Sequence, residues 1–80
     1  MTTEKYREHF IDLGLNIKFY RTKKGYTQEQ LAEQIHISKQ QLSRIESPNN
    51  LASTSLYTLY AIADALDIDI CQLISSNKTV

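Results

Sequence analysis

Eighty residues, 41% hydrophobic and 22% charged, suit one small globular core and exclude a disordered chain. No apolar run exceeds a few residues, which leaves no transmembrane span or signal peptide and sets the expectation of a cytoplasmic protein. The formal net charge of zero argues on its face against a polyanionic partner, and a lone cysteine, Cys71, has no internal disulfide partner, as in a reducing compartment.

The charge is unevenly spread. From Leu13 to Ile45, six cations (Lys18, Arg21, Lys23, Lys24, Lys39, Arg44) stand against Glu29 and Glu33, a local +4. From Glu46 onward, four carboxylates (Glu46, Asp64, Asp67, Asp69) stand against Lys78, a local −3. Residues 1 to 12 carry −1, with Lys5 and Arg7 against Glu4, Glu8 and Asp12. This polarity is either scatter in a short chain or a basic surface backed by an acidic one.

Two Gly, one Pro and little period-two alternation predict an all-α chain of five helices in a single domain over 1–80. The first helix runs from about Glu4 to Lys24, with Phe10, Leu13, Ile17 and Tyr20 at three- and four-residue steps on one face. Leu15 and Phe19 fall off that stripe, either packing on a later helix or exposed to a partner. Gly25 stops the helix, because glycine takes positive φ cheaply and Lys23 and Lys24 suit the negative end of the dipole.

Thr27 opens the second helix. TQEQ places Gln30 three residues after a Thr N-cap, a capping box, and Leu31, Ala32 and Ile35 form the buried side. Ser38 opens the third in the same way, with Gln41 three residues on. Two short capped helices a tight turn apart have the layout of a helix-turn-helix. Pro48, Asn49 and Asn50 end the third helix in a loop. The fourth starts after Ser55, with Leu56, Leu59, Tyr60, Ala63 and Leu66 on one face. The fifth starts near Asp69 and holds Ile70, Leu73 and Ile74; residues 75–80 form a frayed tail.

The third helix has two sides. Leu42 and Ile45 face a core, and Ser38, Lys39, Gln40, Ser43 and Arg44 face away from it. The residue pattern alone fits a solvated amphipathic face at least as well as a surface that reads a ligand. Gln41 belongs to the polar side too, unless it turns back to cap the helix.

Taken together, TQEQLAEQIHISKQQLSRIE resembles the helix-turn-helix of phage-repressor-like (Xre/Cro-type) DNA-binding proteins. Upstream, LGLNIKFYRTKKGYTQ is similar to that family's first helix, with Ile17, Lys18, Arg21 and Gly25 in register. Downstream, SLYTLYAIADALDI resembles its fourth. The likeness covers roughly residues 13 to 74. It implies a five-helix lambda-repressor-like DNA-binding domain, all-α, with the motif at about 27–47.

It also implies a transcriptional regulator, a repressor, that binds double-stranded DNA as a homodimer on a palindromic operator, with the third helix (about 38–47) in the major groove. Base contacts then fall to Lys39, Gln40 and Arg44, with Ser43 on the same face. Arg and Lys donate to guanine O6 and N7, and Gln pairs with adenine N6 and N7. Backbone contacts fall to Thr27, Gln28 and Ser38 at helix N-termini, where free N–H groups favour phosphate. Lys23, Lys24 and Asn49 are further phosphate candidates that plain surface solvation explains equally well. Arg21 and Glu46 take the positions of a structural ion pair.

The chain departs from the family pattern at three places. His36 and Asp67 stand where glycine is common, at turns that need left-handed φ, which His and Asp tolerate better than most residues. The loop from Glu46 to Leu56, with Pro48, is slightly long. An antitoxin and a restriction–modification controller share this fold, and a protein-interaction module without DNA binding is the alternative outside it. Enzyme chemistry finds no support in the sequence. His9, His36 and Cys71 lack metal-ligand spacing and no glycine-rich phosphate loop is present, so no metal or cofactor is expected. Tyr6, Phe10, Tyr20, Tyr57 and Tyr60 read as core or interface, and Cys71 as a small packing residue. Ile70, Leu73 and Ile74 are candidates for a dimer contact.

Overall fold

The computed structural model describes residues 6–47 and 54–75. Within them the chain forms five helices and no strand: α1 (Arg7–Lys24), α2 (Gln28–Gln34), α3 (Lys39–Glu46), α4 (Leu56–Leu66) and α5 (Ile70–Ile74). The expected start of the first helix at Glu4, and Pro48, Asn49, Asn50 and Lys78, lie outside the described residues.

Local sequence explains where the helices begin. Thr27 Oγ1 accepts from the Gln30 N–H at 3.0 Å and Gln30 Oε1 accepts from the Thr27 N–H at 2.9 Å, so the first capping box is complete. At Ser38 only half of the expected box forms. Its hydroxyl accepts from the Gln41 N–H at 3.0 Å, but the Gln41 side chain makes no return bond and stays exposed. Ser55 caps α4 through the Thr58 N–H, and Gln72 Oε1 accepts from the Asp69 N–H at the start of α5.

Three helices end by one device. Gly25, His36 and Asp67 adopt left-handed φ of 90°, 64° and 64°. The next residue then donates its N–H back across the last turn, Tyr26 to Arg21 O, Ile37 to Ala32 O and Ile68 to Ala63 O, each at 3.0 Å. Tyr26, Ile37 and Ile68 are half-buried against the core, so each reversal also seats an apolar side chain.

Every helix contributes one wholly buried side chain to the centre: Ile17, Leu31, Leu42, Ile62 and Leu73. Around them Ala32, Leu59, Ala63 and Leu66 complete the core. Fully burying a Leu or Ile contributes about 1.5–3 kcal/mol, so these five anchor the domain.

Several sequence expectations are corrected here. In α4 the buried positions are Leu59, Ile62, Ala63 and Leu66; Leu56 and Tyr60 are exposed. The inward stripe is turned toward Ile62, which satisfies the three-residue step from Leu59 as well as any position could. The inward side of α1 is more polar than its apolar stripe suggested, since Asp12, Asn16 and Arg21 are buried beside Ile17 while Leu15 and Phe19 are exposed. Asn16 Nδ2 donates to Leu73 O and Ser75 O, both at 2.8 Å, and so ties α1 to the end of α5. Tyr6, Tyr57 and Tyr60 are exposed, which removes the core reading for them and leaves the interface one. Cys71 is exposed rather than packed in the core. Leu73 lies in the core, which removes it from any dimer contact and leaves exposed Ile74 and half-buried Ile70. Among the described residues no helix is long and apolar enough to cross a membrane.

Candidate nucleic-acid interface

Leu31 and Ala32 on α2 and Leu42 on α3 turn inward, so the two helices present their polar sides outward. Lys39, Gln40, Ser43 and Arg44 are all exposed on α3. Gln28, in the first turn of α2, joins Lys39, Gln40 and Ser43 around one shallow depression. Arg44 lies one turn beyond Gln40 on the same helix. No carboxylate pairs with Lys39 or Arg44 among the described residues, and both side chains are exposed. The Ser38 hydroxyl accepts the Gln41 N–H and keeps its own proton to donate.

Behind this face, α3 is held to α1 by a buried pair. Arg21 Nε lies 2.7 Å from Glu46 Oε2 and Nη2 lies 3.1 Å from Oε1, a two-pronged guanidinium–carboxylate contact. Arg21 Nη1 also donates to Tyr26 O at 2.8 Å. Gln28 Nε2 donates to Glu46 Oε1 at 2.9 Å, so one carboxylate joins α1, the start of α2 and the end of α3. The spacing of Arg21 and Glu46 was legible in the sequence through the family likeness; the tie from Gln28 was not.

Gly14 is a second link that sequence reasoning missed. A Cβ built there meets Ile45 O at 2.8 Å and Glu46 O at 3.0 Å, so α1 approaches the last turn of α3 too closely for any side chain. A glycine inside a helix, where it costs about 1 kcal/mol relative to alanine, was the available signal.

Lys23 and Lys24 stand apart from the depression. Lys24 Nζ lies 3.9 Å from Asp67 Oδ2, beside the α4–α5 turn. Lys23 Nζ sits 5.8 Å from the centre of the Phe19 ring. Asn49 falls outside the described residues. No group of three or more His, Cys, Asp or Glu able to hold a metal occurs among the described residues.

Residues 17–73 match the family model described as helix-turn-helix, well over half of the chain. The chain belongs to the phage-repressor-like helix-turn-helix family of DNA-binding transcriptional regulators. Among its helix-turn-helix relatives, the Competence pilus inhibition repressor of Acinetobacter baylyi is 33% identical over 63 residues, 79% of this chain and 56% of that protein. The chain therefore spans little more than half the length of that curated relative. The master regulator for biofilm formation SinR, solved in complex with DNA, is 36% identical with a TM-score of 0.71, covering 79% of this chain and 98% of that one. The restriction-modification controller protein C.AhdI from Aeromonas hydrophila is 26% identical with a TM-score of 0.77, covering 85% and 96%. These neighbours share the all-α, lambda-repressor-like arrangement of five helices.

Proposed function

We propose that this chain is a sequence-specific binder of double-stranded DNA that represses transcription, with α3 in the major groove and two copies on a palindromic operator. The observation that carries this reading is the grouping of Gln28, Lys39, Gln40 and Ser43 on one exposed face. Helix-turn-helix proteins insert the N-terminal part of their second motif helix, which here carries Lys39 and Gln40. Lys39, Gln40, Ser43 and Arg44 are the base-contacting residues; Thr27, Gln28 and Ser38 meet the phosphates, with Lys24 and Asn49 as outer contacts. The likeness to SinR, which was solved in complex with DNA, supports the DNA-binding reading.

One reader of this size buries too little surface for strong discrimination, and two half-sites about 34–36 Å apart answer that need. The exposed Ile74 on α5, on the acidic part of the chain, offers an apolar contact for the second copy. A role as a restriction–modification controller is the second reading, favoured by the match to nearly the whole of C.AhdI; it uses the same DNA-binding face.

Selection from random duplex DNA with the purified protein at low salt tests the proposal. An enriched, roughly palindromic motif is the expected result. The proposal is wrong if no motif emerges and all duplexes bind alike.

A further inference from the structure

We infer that Glu46, although buried, positions Gln28 for its contact with phosphate. The inference rests on the DNA-binding reading above and adds a residue that acts through another.

An ionised carboxylate only accepts hydrogen bonds, and both oxygens of Glu46 already receive protons from Arg21. The Gln28 amide must therefore turn its nitrogen, not its oxygen, toward Glu46, as the 2.9 Å contact has it. One Nε2 proton is spent there. The other has no acceptor among the described residues, and Gln28 borders the depression with Lys39, Gln40 and Ser43.

A free glutamine on a helix surface samples several rotamers and presents oxygen or nitrogen to a phosphate at random. Only the nitrogen can donate to a phosphate oxygen. The Glu46 contact fixes the orientation of the amide in advance, with one Nε2 proton left to donate, and removes rotamer freedom that DNA binding would otherwise have to remove. Glu46 is itself immobilised by Arg21, whose Nη1 is held by Tyr26 O. A rigid chain of bonds thus runs from α1 through α3 to the first turn of α2.

The test is a double-mutant cycle on DNA affinity, using a duplex selected by the wild type. Gln28→Ala is measured in two backgrounds: the wild type, and Arg21→Met/Glu46→Leu, which replaces the buried pair by apolar side chains of similar volume. Positioning predicts that Gln28→Ala weakens binding about two- to tenfold in the wild type and by a clearly smaller factor in the second background. A merely structural Glu46 leaves the Gln28→Ala factor unchanged between the two, and that result overturns the inference while DNA binding stands. A wild type that selects no duplex overturns both.

A second measurement needs no DNA. In the folded wild type, one Gln28 side-chain proton resonates downfield of its partner and exchanges slowly by NMR. Arg21→Met/Glu46→Leu, which removes the accepting carboxylate without leaving a buried charge, moves that signal toward the position of an exposed amide. Identical Gln28 signals in the two proteins sink the inference.

Discussion

Gly14 and Ile45 approach so closely that the missing side chain of one is the space occupied by the carbonyl of the other. A Cβ on Gly14 would stand 2.8 Å from Ile45 O, a distance real Cβ atoms do not show. The neighbour is backbone at the end of α3, which cannot swing aside as a flexible side chain does. The close approach of α3 to α1 therefore depends on the absence of a side chain at Gly14.

Gly14→Ala tests this against helix propensity. Alanine favours a helix interior by about 1 kcal/mol, whereas overpacking costs about 1–3 kcal/mol. The substitution is expected to lower stability, read as an earlier midpoint in urea. It also lifts the last turn of α3 and weakens DNA binding. A more stable Gly14→Ala protein would contradict the close approach.

The Arg21–Glu46 pair predicts a contrast between single and double changes. The two side chains are 8% and 3% exposed, so solvent barely screens them. Arg21→Ala strands a buried carboxylate and costs about 3–5 kcal/mol, a large fraction of the stability of a domain of this size. Arg21→Met/Glu46→Leu leaves no buried charge and is expected to fall within about 2 kcal/mol of the wild type. Calorimetry on the three proteins decides it; a double variant as unstable as Arg21→Ala would show that the pair itself, not its disruption, matters.

Asn16 predicts a local effect at the other end of the chain. Its amide serves Leu73 O and Ser75 O, two carbonyls at the end of α5. Asn16→Ala leaves them without that donor and costs about 1–3 kcal/mol. Hydrogen exchange should speed up most in α5, which is only five residues long and has few bonds of its own. Uniform loss of protection across all helices would argue against a local tie.

The left-handed residues His36 and Asp67 predict stabilisation by glycine. A non-glycine residue in this region carries about 1–2 kcal/mol of strain, offset in part by the greater freedom glycine gains when unfolded. His36→Gly and Asp67→Gly should each raise stability by up to about 1 kcal/mol. Asp67 should gain more, because its carboxylate sits at the negative end of α4, although Lys24 at 3.9 Å returns part of that cost. His36→Val is expected to destabilise. Denaturant midpoints for the three variants separate strain from any other role.

Base and phosphate residues should differ in what they change. Arg44→Ala or Gln40→Ala removes about 1–3 kcal/mol of discrimination at one position of each half-site and relaxes the selected motif there. Lys24→Ala weakens all sequences alike and reduces the dependence of log K on log salt by about one unit. Repeating the site selection with each variant, at two salt concentrations, distinguishes them. A Lys24→Ala protein with an unchanged salt slope would assign Lys24 to Asp67 rather than to phosphate.

The sequence by itself determined the five helices and the ends that caps and left-handed stops mark. Thr27 with Gln30, Ser38 with Gln41, and the left-handed stops at Gly25, His36 and Asp67 all act across three to five residues, within reach of local bonds. The order of these signals also carried the family. Tertiary structure alone decided which sides of α1 and α4 turn inward, because several apolar stripes satisfy the helical period and only packing against the other helices chooses among them. It alone brought Asn16 to Leu73, 57 residues away, and Gln28 to Glu46, 18 residues away. Buried polar groups need partners, and partners far apart in the chain become neighbours only once the helices have packed.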